Sequence, residues 1–198
     1  RENESNDHSI GGNINTVFEN FPNFENALKH SSGEFIFLSD QDDIWLPGKV
    51  TLFLNSLNHC DLVVGDARVV NEKLDTLVDS FFSSRNSGNG IFKNLYKNSY
   101  LGCCMAFNKK VLDSALPFPD KIPMHDWWIG LIAETVGRVC FLNKPTILYR
   151  RHGSNASDTA EASSSRLSTQ INWRLQIAFS LVLRSLDRKV SKTFRIRN

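Results

Sequence analysis

The chain has 198 residues, 41% of them apolar and 22% charged, which suits a globular protein with a core and excludes collagen-like, coiled-coil and wholly disordered chains. Its length is that of one domain, or one domain plus an appendage, and no apolar run approaches the roughly 20 residues of a membrane span. The net charge of +2 hides an asymmetry: from Arg166 onward eight basic residues accompany one acid, giving +7, so the first 165 residues carry −5. Such a mildly acidic body with a basic tail is unlike a nucleic-acid domain, whose basic charge is spread over a binding face.

In chain order, residues 1–16 are polar and aperiodic and read as loop; the opening RENESNDHS has the character of neither a signal nor a transit peptide. Val17, Phe18, Phe21, Phe24 and Leu28 have helical spacing interrupted by Pro22. Glu34–Ser39 reads as a buried strand and Lys49–Leu57 as the helix after it. Leu62–Gly65 is a second strand, extended by Ala67–Val70 beyond a bulge. Phe81–Ser99, rich in Ser, Asn and Gly, reads as a surface excursion, and Tyr100–Phe107 as a third buried strand. A helix over Lys109–Ala115, a proline-punctuated loop, a helix from Asp126 to Val136, and strands at Arg138–Leu142 and Thr146–Tyr149 follow. Alternating strands and helices predict an α/β sheet. Residues 153–165 are small and low in complexity, which predicts a mobile loop. Beyond them Ile171, Leu175, Ala178, Phe179, Val182, Leu186 and Val190 predict an amphipathic helix with arginines on its other face.

Cys60, Cys103, Cys104 and Cys140 show no CxxC spacing, and two are adjacent in an apolar segment. Free buried thiols and a reducing, cytoplasmic compartment are the expectation.

Three clusters could carry chemistry. Asp40, Asp42 and Asp43 crowd the end of the first strand, where ligands of open α/β sheets bind. Like charges so close need a compensating cation or donors, and Mg²⁺ or Mn²⁺ shared with a diphosphate would serve; a helix cap with two solvated turn acids is the other reading. In MHDWW, Asp126 opens a helix beside Trp127 and Trp128. It is either a base able to take a hydroxyl proton beside aromatic walls for a sugar, or a cap beside two core tryptophans; His125 is a further acceptor contact or a loop histidine. Arg150 and Arg151 could neutralise a diphosphate and His152 could add a metal ligand, or all three form a solvated basic turn.

The segments GEFIFLSDQDDIWLPGK, YLGCCMAFNKKVL, LPFPDKIPMHDWWIGLIA and ILYRRHGSNAS together resemble, in order and spacing, family 2 glycosyltransferases of the GT-A fold, and among them bacterial rhamnosyltransferase-like members. The resemblance covers residues 11–157. It implies a GT-A-like mixed sheet flanked by helices, here N-terminally incomplete, over residues 1–152, followed by the 153–165 loop and a basic amphipathic helical tail over 166–198. It implies an inverting, metal-dependent transfer of a sugar, rhamnose among the options, from a nucleotide diphosphate to a saccharide or lipid-linked acceptor in surface polysaccharide synthesis. By the same resemblance Asp126 is the catalytic base and Asp42 the metal ligand, joined by His152. Asp40, Asp43, Arg150 and Arg151 lie on the donor, and His125, Trp127 and Trp128 on the acceptor. Loose peripheral membrane contact through the tail, pairing of copies through an exposed sheet edge, and no nucleic acid complete the partners. A catalytically inactive scaffold and a metal-dependent phosphotransferase or hydrolase are the other readings.

Overall fold

The computed structural model describes residues 21–120, 122–151 and 167–196. They fall into two units, divided between Ser32 and Gly33. Residues 1–20, His152 and the loop expected over 153–165 lie outside the described residues, as do the helical positions expected before Phe21.

In the first unit, α1 (Phe21–His30) carries Pro22 in its opening turn. The missing N–H costs nothing there, so the proline starts a helix where an interruption was expected. A Lys29–Glu25 pair of 2.7 Å one turn apart and the Ser31 hydroxyl on the Leu28 carbonyl at 2.7 Å close the other end.

The second unit is built on a six-stranded mixed sheet of β1 (Phe35–Phe37), β2 (Ile44–Trp45), β3 (Leu62–Val70), β4 (Thr76–Val78), β5 (Met105–Asn108) and β6 (Val139–Arg150). The strand order is β1-β5-β3-β6-β2, with β4 alongside the far end of β3; only the β3–β6 pair is parallel. Strand β3 is buried almost throughout, as a central strand covered on both faces must be. The expected bulge is there: register shifts at Gly65–Asp66–Ala67, opposite Pro145, which has no N–H to give the ladder. Gly65 is required, because a Cβ would lie 2.8 Å from the Phe53 ring and closer still to Thr146.

Helix α2 (Lys49–Leu57) covers one face. Its Phe53 and Leu57 pack with Cys60, Val63 and Ala106, and Phe35, Phe37, Cys140 and Leu142 close around them. Phe141, one residue on from Cys140 and therefore on the opposite face, meets Phe82 and Tyr100 at 5.3 and 5.8 Å between ring centroids. Tyr100 in turn lies against α6 (His125–Val136): a Cβ on Gly130 would sit 2.4 Å from its ring.

Four expectations need correction. The strand expected at Tyr100–Phe107 is divided, Gly102–Cys104 forming a 3₁₀ turn before β5. The strands expected at Arg138–Leu142 and Thr146–Tyr149 are one strand, β6, because its partner β3 carries a matching irregularity. The excursion at 81–99 contains α3 (Phe81–Arg85) and α4 (Ile91–Tyr96), ordered by the fully buried Asn94, whose amide reaches Gly88 and Gly90 carbonyls and whose carbonyl takes Ser99 N–H. Cys60 and Cys140 are joined in a disulfide, their Cα atoms 6.1 Å apart on neighbouring strands, and only Cys103 and Cys104 are free and buried. The argument for a reducing compartment from four free thiols thereby loses its premise.

Helix α5 (Lys109–Ala115) follows β5 as expected, capped by the Asn108 side chain on Val111 N–H. The C-terminal helix α7 (Leu167–Ile196) is present, but turned: Ile177 and Leu181 are buried, while Ile171, Leu175, Phe179, Val182 and Leu186 are exposed. Its arginines do the gripping. Arg184 donates to the carbonyls of Ser114, Leu116 and Pro117 and lies over the Trp128 ring at 5.5 Å.

Candidate functional site

Strand directions bring three distant segments to one end of the sheet. Because β1 and β5 are antiparallel, the end of β1 meets the 3₁₀ turn that starts β5, and Leu38 N–H donates to Met105 O at 3.0 Å. β2 returns antiparallel to β6, so the acids between β1 and β2 lie against the end of β6, where Arg150 N–H donates to Asp43 Oδ1 at 3.0 Å.

Asp40, Asp43 and Cys103 are gathered here, one ligand atom from each lying within 4.8 Å of the others. Burial pushes Asp43 up to about 6; hydrogen bonding from the Cys103 thiol and Arg150 N–H opposes this, and the Asp40 and Asp42 charges add to it. Asp43 Oδ2 is buried without a well-formed hydrogen bond, and a thiol is only a weak donor. Burial, then the Asp42 charge, also raises Asp40. Asp42 is half-buried in the turn beside them; its charge acts on both neighbours, but it is outside the three-residue cluster.

Lys49 supplies the counter-charge. Only 2% exposed, it donates to Cys103 O at 2.9 Å and lies 4.0 Å above the centre of the Trp45 ring. Burial lowers its pKa, while Cys104, Cys103, Asp43 and Asp40 hold it up. Sequence reasoning placed this lysine only on a helix; its position at the start of the helix that follows a strand-end acid cluster was the available signal.

Cys103's neighbour Gly102 faces the second aspartate. Asp126, in the first turn of α6 and 5% exposed, accepts from Trp127 N–H at 2.6 Å and from Gly102 N–H. Burial dominates and lifts its carboxyl from 3.8 to about 7, with the Asp40 charge contributing in the same direction. The 3₁₀ turn thus joins the two acid clusters, Cys103 against Asp40 and Asp43, Gly102 against Asp126. His125 is also beside Gly102, and burial brings its pKa down to about 4, so it is neutral at physiological pH.

Of the other expected site residues, the two tryptophans lie within the core, while the two arginines lie at the end of β6, where Arg150 N–H already meets Asp43. Trp127 donates its indole N–H to Asn94 O and Trp128 to Ala115 O; they are 6% and 0% exposed, so Trp128 has no open ring face. Arg151 N–H donates to Val70 O at the end of β3, and both Arg150 and Arg151 are half-buried. Sequence reasoning also missed Asp66. Buried at the β3 bulge, it takes Ala67 N–H, Phe82 N–H and the Ser80 hydroxyl at 2.8, 2.9 and 2.5 Å. It borders an open hollow of about 440 Å³ with Asp79, Ser83, Ser87, Asn143 and Pro145.

The model of glycosyl transferase family 2 matches residues 21–116, which include the Asp40–Asp43 cluster, Lys49 and the 3₁₀ turn. The match stops before Asp126 and Arg150. A UDP-glucose:α-D-GlcNAc-diphosphoundecaprenol β-1,3-glucosyltransferase of Escherichia coli is 27% identical over 107 residues, 53% of this chain and 40% of that enzyme. The chain therefore spans less than half the length of this curated relative. A crystal structure of S. aureus TarS with UDP-GlcNAc covers 72% of this chain and 41% of TarS at 17% identity and a TM-score of 0.49.

Proposed function

We propose that the chain transfers a sugar from a nucleotide-diphosphate donor to a hydroxyl of a saccharide or lipid-linked acceptor, by a single inverting displacement. The family 2 match and the lipid-diphosphate-linked acceptor named for the E. coli relative support this class of reaction. Rhamnose as the sugar and surface polysaccharide synthesis as the setting are readings from the motif resemblance alone.

The observation that carries the proposal is Asp126 beside Asp40 across the Gly102–Cys104 turn. A carboxyl that changes charge near pH 7 is matched to accepting a hydroxyl proton as the oxygen attacks the anomeric carbon. It loses that ability when protonated, so activity rises with pH through about 7. His125, neutral and adjacent, would orient the acceptor. Trp127 and Trp128 contribute by fixing α6, and with it Asp126, through their indole hydrogen bonds.

The donor set at the strand end suits a hard divalent ion. Asp40 and Asp43 offer carboxylate oxygens, Asp43 Oδ2 has no well-formed bond to lose, and Asp42 lies in the same turn. Burial pushes the Cys103 thiol well up, so at neutral pH it is no anionic ligand. Mn²⁺ or Mg²⁺ held by Asp42 with Asp40 and Asp43 would supply positive charge for the departing diphosphate. Lys49 tempers the carboxylates' mutual repulsion, and Arg150 and Arg151, at the end of β6, would supply guanidiniums for the diphosphate oxygens. The test is transfer by Asp126→Asn beside its Mn²⁺–nucleotide affinity. The proposal expects transfer to vanish with affinity retained; parallel loss of both would remove Asp126 from the base role.

A further inference from the structure

Asp126, Gly130 and Glu134 stand at steps of four on α6 and form one line along it, and the segment entering the 3₁₀ turn lies on that line. Gly102 meets it at Asp126, where a Cβ would sit 3.5 Å from the aspartate Cβ. The Tyr100 ring meets it at Gly130, which has room for no side chain. The Tyr100 hydroxyl reaches Glu134, donating to Oε1 at 2.8 Å. The same oxygen takes Gly90 N–H at 2.6 Å, so the start of α4 is held there as well. Tyr100 is fully buried; burial, then the Glu134 charge, pushes its phenol up, so the hydroxyl stays a donor. The reaction proposed above leaves Glu134 without a part.

We infer that Glu134 is a positioning residue: through the Tyr100 hydroxyl it fixes where the Gly102–Cys104 turn sits against Asp126. Packing alone does not fix it. A flat ring on a glycine meets no ridge and is free to slide along the helix, whereas a hydrogen bond is directional. Leu101, between Tyr100 and the turn, is extended and passes any displacement on to Gly102. Gly102 N–H bonds Asp126, and Cys103 faces Asp40 and Asp43 and gives its carbonyl to Lys49. One turn therefore sets the separation of the base from the strand-end carboxylates, and a misplacement of about 1 Å there is enough to cost a rate about a hundredfold.

This role rests on Asp126 as the base, so the test includes a readout that needs no transfer. Cys103 and Cys104, the two cysteines outside the disulfide, lie in the turn itself and are buried. Their labelling by a thiol reagent in the folded protein reads the opening of the turn. Tyr100→Phe and Glu134→Ala should each speed labelling by about fivefold, the factor that one lost hydrogen bond gives to local opening. Both should lower kcat by about tenfold or more, with KM for the donor held. Glu134→Gln, whose carbonyl oxygen still accepts from both donors, should stay close to the wild type in each readout. Asp61→Ala strips an acceptor from Asn108, Lys110 and Arg138 before β3. It loses stability without touching the turn, and should change neither readout. The inference is overturned if Tyr100→Phe and Glu134→Ala label at the wild-type rate, if Asp61→Ala labels as fast as they do, or if an active wild type and both variants share one kcat. A wild type that transfers nothing overturns the reaction instead, and the labelling rates still decide the anchor.

Discussion

Carboxylates lie at both ends of the sheet, and the two ends treat them oppositely. At the start of β3, Asp61 takes hydrogen bonds from Asn108 Nδ2, Lys110 Nζ and Arg138 N–H at 3.0, 3.0 and 2.8 Å. Burial acts to raise it, but these donors prevail and hold its carboxyl below the usual range. It ties the beginnings of β3 and β6 to the end of β5. At the other end Asp43 and Asp126 are buried with too few donors, and both rise, to about 6 and about 7. Ionised carboxylates that are well solvated by the protein stabilise a fold; those left short of donors cost stability and are available to a ligand. The first end is scaffold, and the second is the one proposed above to carry the chemistry.

Substitutions should separate the two ends, the largest effect coming from Asp126. Asp126→Asn should reduce transfer by about 10²–10⁴-fold, the range expected for loss of a general base, measured as kcat in a nucleotide-release assay. The same change should raise thermal stability near neutral pH by about 1–3 kcal/mol, because it removes a buried charge; a fall in Tm would count against the burial argument. Next comes Lys49→Met, which strips the counter-charge from Asp40 and Asp43. With that charge gone the Asp40 carboxyl holds its proton to higher pH, so titration calorimetry should show the onset of Mn²⁺–nucleotide binding moved to higher pH by about one unit, with the protein still folded. Asp61→Ala works at the scaffold end, losing about 1–2 kcal/mol of stability as three donors lose their acceptor, with transfer per folded molecule unchanged.

The smallest effect is on pH dependence, where the ends again oppose each other. The folded protein keeps protons on Asp126 and Asp43 that the unfolded chain releases near 3.8. Their contribution is therefore complete below that value and is lost as pH rises through about 6 and 7. Asp61, depressed in the fold, contributes above 3.8 and loses its contribution as pH falls through its lowered folded value. Denaturant midpoints measured across this range should decline toward neutral pH in the wild type, and less steeply in Asp126→Asn.

Much of this arrangement was legible in the chain. Helices α2 and α5 match their expected bounds because both obey a local rule, apolar spacing in one and an Asn108 cap in the other. The bulge in β3 was legible because Gly-Asp interrupts an otherwise continuous apolar strand. The acid clusters were found from residue type and position after a strand or at a helix start. Asp61 and Asp66 passed unnoticed, since a carboxylate satisfied by distant backbone looks in sequence like any other.

The sequence by itself determined the alternation of strands and helices, the acid-rich strand end, the aspartate opening α6 and a basic amphipathic tail, all properties of contiguous residues. Tertiary structure alone decided that Gly102–Cys104 would join Asp40 and Asp43 to Asp126, that Lys49 would be their buried counter-charge, that Cys60 would meet Cys140, and which face of α7 would grip the body. Each of these depends on strand direction and register, which place residues tens of positions apart at one sheet end. On α7, arginines with carbonyl acceptors and a tryptophan ring within reach took the inward face, and the apolar row was left facing out. Periodicity records that a helix has an apolar face; which surface covers it is settled by the partners that the rest of the fold presents.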